Sequence, residues 1–564
     1  MGIKRKTEEK KMSMNKNIAR LAVTAGLTAA LSFGGVMAPV TMAFAEEGAA
    51  PSYSLTIKQA ANNGPTSFKA YQIFIADVMD GASGKVTSNV KWASPEAKTA
   101  VLDELVNNNA PGITKDSTAS DVADYLSKIT DTTNTASLPQ GSILNKIALA
   151  VEKRVPATGN SFAAGTTFTT TNAGYYLFMT DTDSLNMNEK QTGTSPIFAV
   201  VGGGAVSVTE KTSIPTVTKK IKDDAKGVEW QDKADSQMGQ TVQYMLTGTV
   251  AGNINTFGTY YYEFHDELSA GLTVDESSVK AVIDKTQITP TSVTVSGPDS
   301  NGKTVLRVKF EDLKAAAKAA DVPVDGNTRV VVKYSAKLDP NNSQHVVVGR
   351  AGNSNTVKLI YSNNPGHETK GESVPDTVRN YTYALRLVKK DATDETKKLA
   401  GVKFTICATD PDDTASKGMY VQDNGSLGEK PYEFTTTDSG EINVKGLDAG
   451  TYTVKETHTL AGYNNIPDFT FTIKATGLNN AEGVGENKLT VTTSTMGSNL
   501  VEVDTTNTDN GTAALIVKNK QGSGLPLTGL NGVTFTWIAG GAVLCIGVAH
   551  LIRSRKQAEE SEQE

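Results

Sequence analysis

The chain has 564 residues, of which 38% are hydrophobic and 6% aromatic, and its formal net charge is -6 at pH 7. This length allows about three or four domains with ordinary cores, which excludes a wholly disordered chain. The acidic balance argues against nucleic acid as a partner. Because Cys545 lies in an apolar C-terminal segment, Cys407 has no partner for an internal disulfide, and any covalent reinforcement must be of another kind.

The N-terminus has the three parts of a secretory signal. A basic stretch is followed by a mostly apolar run at 21–37 and by the small-residue site Ala43-Phe44-Ala45. This order predicts cleavage after Ala45, so that residues 1–45 are a signal peptide. The alternative, a membrane-spanning helix, is opposed by the small-residue cleavage site.

Three domains follow. Residues 46–211 form an α+β domain, in which Ser94, Ser120 and Ser142 begin helices. Residues 212–370 and 376–522 are mostly strand, with Val/Thr-rich runs and Asn-Gly or Asp-Gly turns; only 311–320 looks helical. The pattern predicts a mainly β fold of tandem immunoglobulin-like sandwiches, flanked by the signal peptide and a C-terminal transmembrane sorting helix.

Two lysines are predicted to point into apolar cores. Period-two alternation places Lys219 on the same strand face as Val217 and Ile221. The same alternation groups Lys389 with Leu385 and a second leucine. An unpaired buried ammonium is very costly, so each lysine needs an explanation. The alternative is that both side chains extend past the core and reach water.

Each of these two domains also ends in a strand that carries asparagine, with Asn353 and Asn355 in the second and Asn519 in the third. The first and last strands of a sandwich can pair, which would bring lysine and asparagine together. A neutral amine beside a carboxamide can form an amide and release ammonia, if a protonated carboxyl group polarises the carbonyl. Burial favours both reactive forms, because it lowers lysine pKa values and raises carboxyl pKa values.

The C-terminus ends in a pentapeptide, an apolar span at 533–552 and a basic tail. The pentapeptide consists of Leu525, Pro526, Leu527, Thr528 and Gly529. In this order the three features resemble the LPXTG cell-wall sorting signal of Gram-positive surface proteins, here over 525–564, although Leu530 replaces the usual next glycine. The resemblance implies that a sortase cysteine attacks the Thr528 carbonyl, so the chain is a substrate rather than an enzyme.

The third domain resembles the B-type isopeptide domains of Gram-positive pilins and collagen adhesins. The segments 389–391, 399–404 and 450–463 carry this resemblance, and the last contains the pilin E-box. It implies that Lys389 bonds Asn519 with Glu456 as the promoting acid. The usual Ala-Pro of the box is Thr459-Leu460 here, which puts its loop geometry in question.

The second domain resembles the A-type pilin domain through the segments 264–272 and 361–365. This resemblance implies that Lys219 bonds Asn355 with Asp266 as the acid. Asn353 and Lys220 remain as alternatives that differ by a shift of register.

The whole pattern resembles a Gram-positive LPXTG-anchored major (backbone) pilin. Lys211, after the strand-like Val206-Ser207-Val208, resembles the pilin-motif lysine that receives Thr528 of another copy, although Thr209-Glu210 replaces the usual Tyr-Pro. The resemblance implies a cell-wall-anchored surface pilus that supports adhesion. Implied partners are pilin-type and housekeeping sortases, further copies, ancillary pilins, peptidoglycan and host surface glycoproteins. We expect no cofactor and no metal, because the histidines show no metal-ligand spacing. The alternatives are an ancillary pilin and a monomeric wall-anchored adhesin.

Overall fold

A computed structural model describes most of the chain between residues 51 and 522. The described ranges are 51–61, 63–81, 84–129, 138–186, 190–210, 212–225, 227–476, 488–494, 499–506 and 511–522. The predicted signal peptide, Lys211 and the predicted sorting signal lie outside them. None of the helices in these ranges is both long and apolar enough to cross a membrane.

The first domain combines two sheets with three helices. Its strands are β1 (Tyr53–Lys58), β2 (Ser67–Gly81), β3 (Gly84–Trp92), β4 (Phe162–Ala163), β5 (Thr167–Thr170), β6 (Gly174–Thr180), β7 (Ile197–Val201) and β8 (Val206–Thr209). Its helices are α1 (Pro95–Asn107), α2 (Ala119–Ser127) and α3 (Ile143–Arg154), with a 3-10 turn at Thr182–Ser184. One sheet has the order β3-β2-β6-β7, with β4 on β2, and the other has the order β5-β1-β8.

The helices of this domain begin where hydroxyl side chains cap them. Ser94 accepts a hydrogen bond from the Ala97 amide, and Ser142 accepts one from the Asn145 amide, as the sequence predicted. The middle helix begins two residues earlier than predicted, because Thr118 and Asp121 form a capping box. The apolar faces of the helices pack with the inner face of the larger sheet in one core.

The second domain is a sandwich of two sheets. Its strands are β9 (Val217–Lys222), β10 (Trp230–Gln231), β11 (Lys233–Asp235), β12 (Thr241–Thr249), β13 (Tyr262–Leu268), β14 (Leu272–Ile283), β15 (Thr286–Ile288), β16 (Ser292–Ser296), β17 (Thr304–Phe310), β18 (Arg329–Leu338), β19 (Asn353–Ser362), β20 (Lys370–Glu372) and β21 (Asp376–Tyr381). Its helix is α4 (Leu313–Ala319), with 3-10 turns at Ile254–Thr256 and Pro340–His345. The sheets have the orders β10-β9-β12-β18-β14-β15 and β11-β21-β19-β13-β17-β16, with β20 on β19.

The third domain is also a sandwich. Its strands are β22 (Tyr383–Asp391), β23 (Lys403–Pro411), β24 (Tyr420–Val421), β25 (Leu427–Gly428), β26 (Phe434–Thr435), β27 (Glu441–Leu447), β28 (Gly450–His458), β29 (Phe469–Thr476), β30 (Lys488–Ser494), β31 (Val501–Val503) and β32 (Thr512–Asn519), with a 3-10 turn at Thr414–Ser416. One sheet has the order β27-β22-β32-β31, and the other has the order β25-β24-β23-β28-β29-β30, with β26 on β23.

This architecture confirms the mainly β fold with an α+β first domain. Two details differ from the sequence analysis. The strand Asp376–Tyr381 pairs with β19 and β11, so it completes the second sandwich, and the third begins at Tyr383. The expected pairing of first and last strands holds in the third domain, where β22 and β32 run parallel. It is wrong for the second domain, where β9 and β19 lie in opposite sheets.

Candidate functional site

Four buried polar side chains meet in the core of the second domain. The Lys219 amine lies 2.6 Å and 2.5 Å from the two Asp266 carboxylate oxygens and donates to the Tyr334 hydroxyl at 3.1 Å. That hydroxyl donates to Asp266 Oδ2 at 2.6 Å and accepts from Asn355 Nδ2 at 2.6 Å. We call these residues the second-domain cluster. Asn355 Oδ1 is enclosed and has no hydrogen-bond partner within the described residues.

The strand registers explain how the second-domain cluster forms. On β9 the burial pattern alternates, and Lys219 points inward between Val217 and Ile221, as predicted. Asp266 and Asn355 lie on the neighbouring strands β13 and β19 of the opposite sheet, two positions apart in register. Their inward side chains therefore face Lys219 across the sandwich.

A similar group, the third-domain cluster, surrounds the second inward lysine. The Lys389 amine donates to Glu456 Oε2 at 2.9 Å and also to Asn519 Oδ1. Asn519 Nδ2 donates to Glu456 Oε1 at 2.8 Å and to the Thr459 hydroxyl at 2.7 Å. One carboxylate thus contacts the amine through one oxygen and the amide nitrogen through the other.

The third-domain cluster is arranged differently along its strands. Lys389 and Asn519 lie on the adjacent parallel strands β22 and β32, and the register pairs Lys389 with Val517. The two side chains are therefore two positions apart on one face of the same sheet. Glu456 reaches them from β28 in the opposite sheet. Both lysines and both asparagines are completely buried.

Burial changes the protonation of both lysines. Desolvation lowers the pKa of Lys219 to about 8 and that of Lys389 to about 8, although the adjacent carboxylate opposes the shift in each case. At pH 7, roughly a tenth of each amine is then neutral, which is the nucleophilic form. Each amine also lies near the aromatic walls of its pocket, 5.3 Å from the ring centroid of Tyr244 and of Phe404, respectively.

The register alternatives are occupied elsewhere. Asn353 bonds the backbone of Val347 and the carbonyl of Asn380, and so closes a loop. The side chain of Lys220 is 37% exposed and donates to Asp232 at 2.5 Å. Neither residue is part of the second-domain cluster.

Two residues that contact these clusters, Tyr334 and Thr459, were not predicted from the sequence. Tyr334 lies on β18, whose buried residues alternate, so a search for inward polar tips on every strand would have found it. Thr459 was noticed only as a departure from the E-box. Its contact with the Asn519 amide gives the replacement a role in positioning this amide.

Aspartates converge at the junction of the second and third domains. Two groups have carboxylate oxygens within 4.8 Å of one another, namely Asp223, Asp224 and Asp412, and Asp235, Asp412 and Asp448. Burial and mutual repulsion raise the pKa of Asp224 to about 7 and that of Asp412 to about 6. These are the described residues whose donor atoms could hold a hard divalent cation. The expectation of no metal rested on the spacing of the histidines, and these aspartates lie far apart in the chain.

The residue before Lys211 is firmly held. Glu210 is buried and accepts hydrogen bonds from the Ala60 amide at 2.8 Å, from Asn63 Nδ2 at 3.0 Å and from the Thr66 hydroxyl. Its own amide donates to the Lys58 carbonyl at 2.9 Å. The backbone that leads into Lys211 is therefore fixed to the first domain.

The fold and the two clusters define tandem β-sandwiches, each with a buried amine, acid and amide. Residues 384–488 match the family model SpaA, a prealbumin-like fold domain, which confirms the resemblance expected for the third domain. Comparison with curated protein sequences gives no match.

Solved structures similar to this chain include three Gram-positive pilins. The T6 backbone pilin of Streptococcus pyogenes is 16% identical, with a TM-score of 0.49 over 84% of this chain and 98% of that chain. The major pilin SpaD of Corynebacterium diphtheriae is 16% identical, with a TM-score of 0.45 over 86% of this chain and 100% of that chain. The major pilin BcpA of Bacillus cereus is 12% identical, with a TM-score of 0.35 over 84% and 99%.

Proposed function

We propose that this chain is the structural backbone subunit of a covalent pilus on the Gram-positive cell surface. The observation that carries the proposal is the pair of buried clusters in two successive domains. In the third domain the amine, acid and carboxamide are in direct contact, and in the second the amine and acid contact each other and reach the carboxamide through the Tyr334 hydroxyl. A secretory signal and a sorting signal at the two ends of the sequence support a surface location. The family match of the third domain agrees with this role.

In each cluster the proposed reaction forms an amide inside one molecule. The neutral amine of Lys219 or Lys389 attacks the side-chain carbonyl carbon of Asn355 or Asn519. The carbon–nitrogen bond to the amide nitrogen breaks, and this nitrogen leaves as ammonia after it receives a proton. Glu456 takes the proton from the amine and delivers it to the leaving nitrogen, since its two oxygens contact both groups. Asp266 takes the proton from Lys219, and the Tyr334 hydroxyl, which lies between Asp266 and Asn355, passes a proton on to the leaving nitrogen.

The two amides would place the load on a short path through the subunit. A pull applied at Lys211 and Thr528 enters the second domain near Lys219 and crosses to Asn355. It then runs through β21 into β22, crosses from Lys389 to Asn519, and leaves toward Thr528. The long segments between the linked residues carry little of this tension.

The subunits would be joined by an external sortase. Its cysteine cleaves the peptide bond after Thr528 and holds the chain as an acyl-enzyme, and the amine of Lys211 on another copy then forms the new amide. The last subunit is transferred to an amine of peptidoglycan. Ancillary pilins would join the same fibre, and any adhesion to host surface glycoproteins would use this assembled form.

Two measurements test the proposal. The intact mass of the mature chain should be lower than its sequence mass by one ammonia for each internal bond, and an unshifted mass would remove the crosslinks. Wall extracts run on a denaturing gel should give a ladder of covalent multimers that Lys211→Ala abolishes, while Lys220→Ala, the matched control, keeps it. A single band for the unaltered chain would instead favour a monomeric wall-anchored adhesin.

A further inference from the structure

The smaller sheet of the first domain has an open edge beside the proposed joining lysine. Strand β8 pairs with β1 on one side, and no other strand of the described residues pairs with it. Ser207 and Thr209 on this strand are exposed. An open edge is a ready template for the addition of another strand.

The hydrogen-bonding groups that point outward can be assigned from the register. The Glu210 amide donates to Lys58 of β1, and backbone groups alternate along a strand, so Val208 and Val206 also face β1. The N–H and C=O groups of Ser207 and Thr209 consequently point to the open side. The half-buried side chains of Val206 and Val208 pack against the domain core.

The segment before Thr528 matches this edge. For its carbonyl to reach Lys211, Thr528 must lie beside the C-terminal end of β8, which requires a parallel orientation. Thr528 is then opposite Thr209, Leu527 opposite Val208, and Leu525 opposite Val206. In this register the two leucines hydrogen-bond to β8 and cover the half-buried valines.

Proline fits the same register. In this register Pro526 would be opposite Ser207 with its backbone facing away from β8, so its missing N–H would cost no hydrogen bond. The chain is still attached to the third domain at Gly522, whose amide donates to the Gly462 carbonyl at 2.8 Å. Only a few residues therefore separate this domain from the segment that begins at Leu525. The span from Gly522 to Leu525 is at most roughly 10 Å, so the first domain of one copy must lie directly against the C-terminal end of the other.

We propose that in the joined fibre residues 525–527 of one copy form an added parallel strand on the open edge of β8 of the next copy. This inference rests on the proposed function, since it describes how the Thr528–Lys211 joint is seated. The covalent bond would then be shielded from transverse load by backbone hydrogen bonds on one side of the sheet.

A designed disulfide tests the register in fibres assembled from the full chain. Val208→Cys combined with Leu527→Cys, on a Cys407→Ser background, should crosslink under mild oxidation. The matched control is Ser207→Cys with Leu527→Cys, which differs by one residue and points to opposite faces. We expect roughly tenfold more disulfide-linked peptide from the first pair, because opposed residues lie within the disulfide range and the control pair does not.

Equal yields from the two pairs, in fibres that do form, would overturn the added strand but leave the proposed function intact. A disulfide between two copies of position 208 would also overturn it, by assigning the edge to β8–β8 pairing. The absence of a ladder from the unaltered chain would instead contradict the proposed function. If the cysteine variants fail to assemble, hydrogen exchange on unaltered fibres is the test. The amides of Ser207 and Thr209 should exchange more slowly in fibres than in the monomer, while the amides of β5, the control strand, should exchange at the same rate in both. Equal exchange of the β8 amides in fibres and monomer would contradict the proposal.

Discussion

The second-domain and third-domain clusters contain the same three functional groups in two different strand arrangements. In the second domain the lysine faces acid and asparagine across the sandwich, so an amide there would join the two sheets. In the third domain lysine and asparagine are on adjacent parallel strands, so an amide would join the first and last strands of one sheet. The proposed chemistry would thus depend on local proximity between buried side chains, and two different strand arrangements provide that proximity.

The contacts within the clusters differ as well. In the third domain the carboxylate touches both the amine and the amide nitrogen. In the second domain the Tyr334 hydroxyl stands between the carboxylate and the amide. The proposed proton path is therefore direct in the third domain, whereas in the second it includes a tyrosine.

The largest expected effect comes from removing the carboxamides. In Asn519→Ala the intact mass should no longer show the loss of ammonia that marks the third-domain bond. The free energy of unfolding of that domain should fall by about 5 kcal/mol, which is the chain-entropy value for a crosslink that closes a loop of about 130 residues. Asn355→Ala should do the same in the second domain alone. Thermal unfolding with limited proteolysis distinguishes the domains. Asn353→Ala is the control for the second domain. Loss of the Lys219 crosslink in this variant would show that Asn353, and not Asn355, is the bonded residue.

Replacing the acid of one cluster should block bond formation in that cluster, although its lysine and its asparagine are both still present. In Asp266→Asn or Glu456→Gln the buried lysine loses its charged partner, a change that costs about 3–5 kcal/mol for a buried pair. We expect intact-mass spectra to retain one extra ammonia, in the affected domain only. If Glu456→Gln still showed the loss of ammonia for the third-domain bond, the carboxylate would not be needed for the reaction.

A smaller and more selective effect is expected for the tyrosine. Tyr334→Phe should slow formation of the Lys219–Asn355 bond while the Lys389–Asn519 bond forms normally, because only the second-domain cluster uses this hydroxyl. Mass spectra recorded at intervals after synthesis would follow both bonds in the same molecule. Tyr260→Phe, which removes a buried hydroxyl of the same domain that bonds the Ala251 amide outside the cluster, is the control. Equal rates for Tyr334→Phe and the unaltered chain would exclude the tyrosine from the proton path.

The smallest effect concerns the aspartates between the two domains. A carboxyl group whose pKa is raised in the folded state binds more protons there than in the unfolded chain, so its contribution to stability falls as the pH rises. With the pKa values of Asp224 at about 7 and Asp412 at about 6, the midpoint of thermal unfolding should rise as the pH is lowered from 8 to 5, by ~2–4 °C for each kcal/mol of added stability. Asp224→Asn should reduce this dependence. A midpoint of thermal unfolding that is lower at pH 5 than at pH 8 would contradict the raised pKa values of these aspartates.

Much of this arrangement follows from local sequence rules. Alternation along β9 and β22 is sufficient to bury Lys219 and Lys389, because a shift by one residue would expose the valine, isoleucine and leucine beside them. The sequence does not reveal which sheet each strand joins, since this depends on long-range pairing. The β9–β19 pairing was therefore wrong, and Tyr334 and the aspartates were not anticipated.

The most direct test is tandem mass spectrometry of peptides from native fibres that have been boiled and reduced. The account predicts two internal crosslinked peptides, Lys219–Asn355 and Lys389–Asn519, and one peptide that joins Thr528 of one chain to Lys211 of another. Recovery of the same positions only as unmodified linear peptides would contradict it.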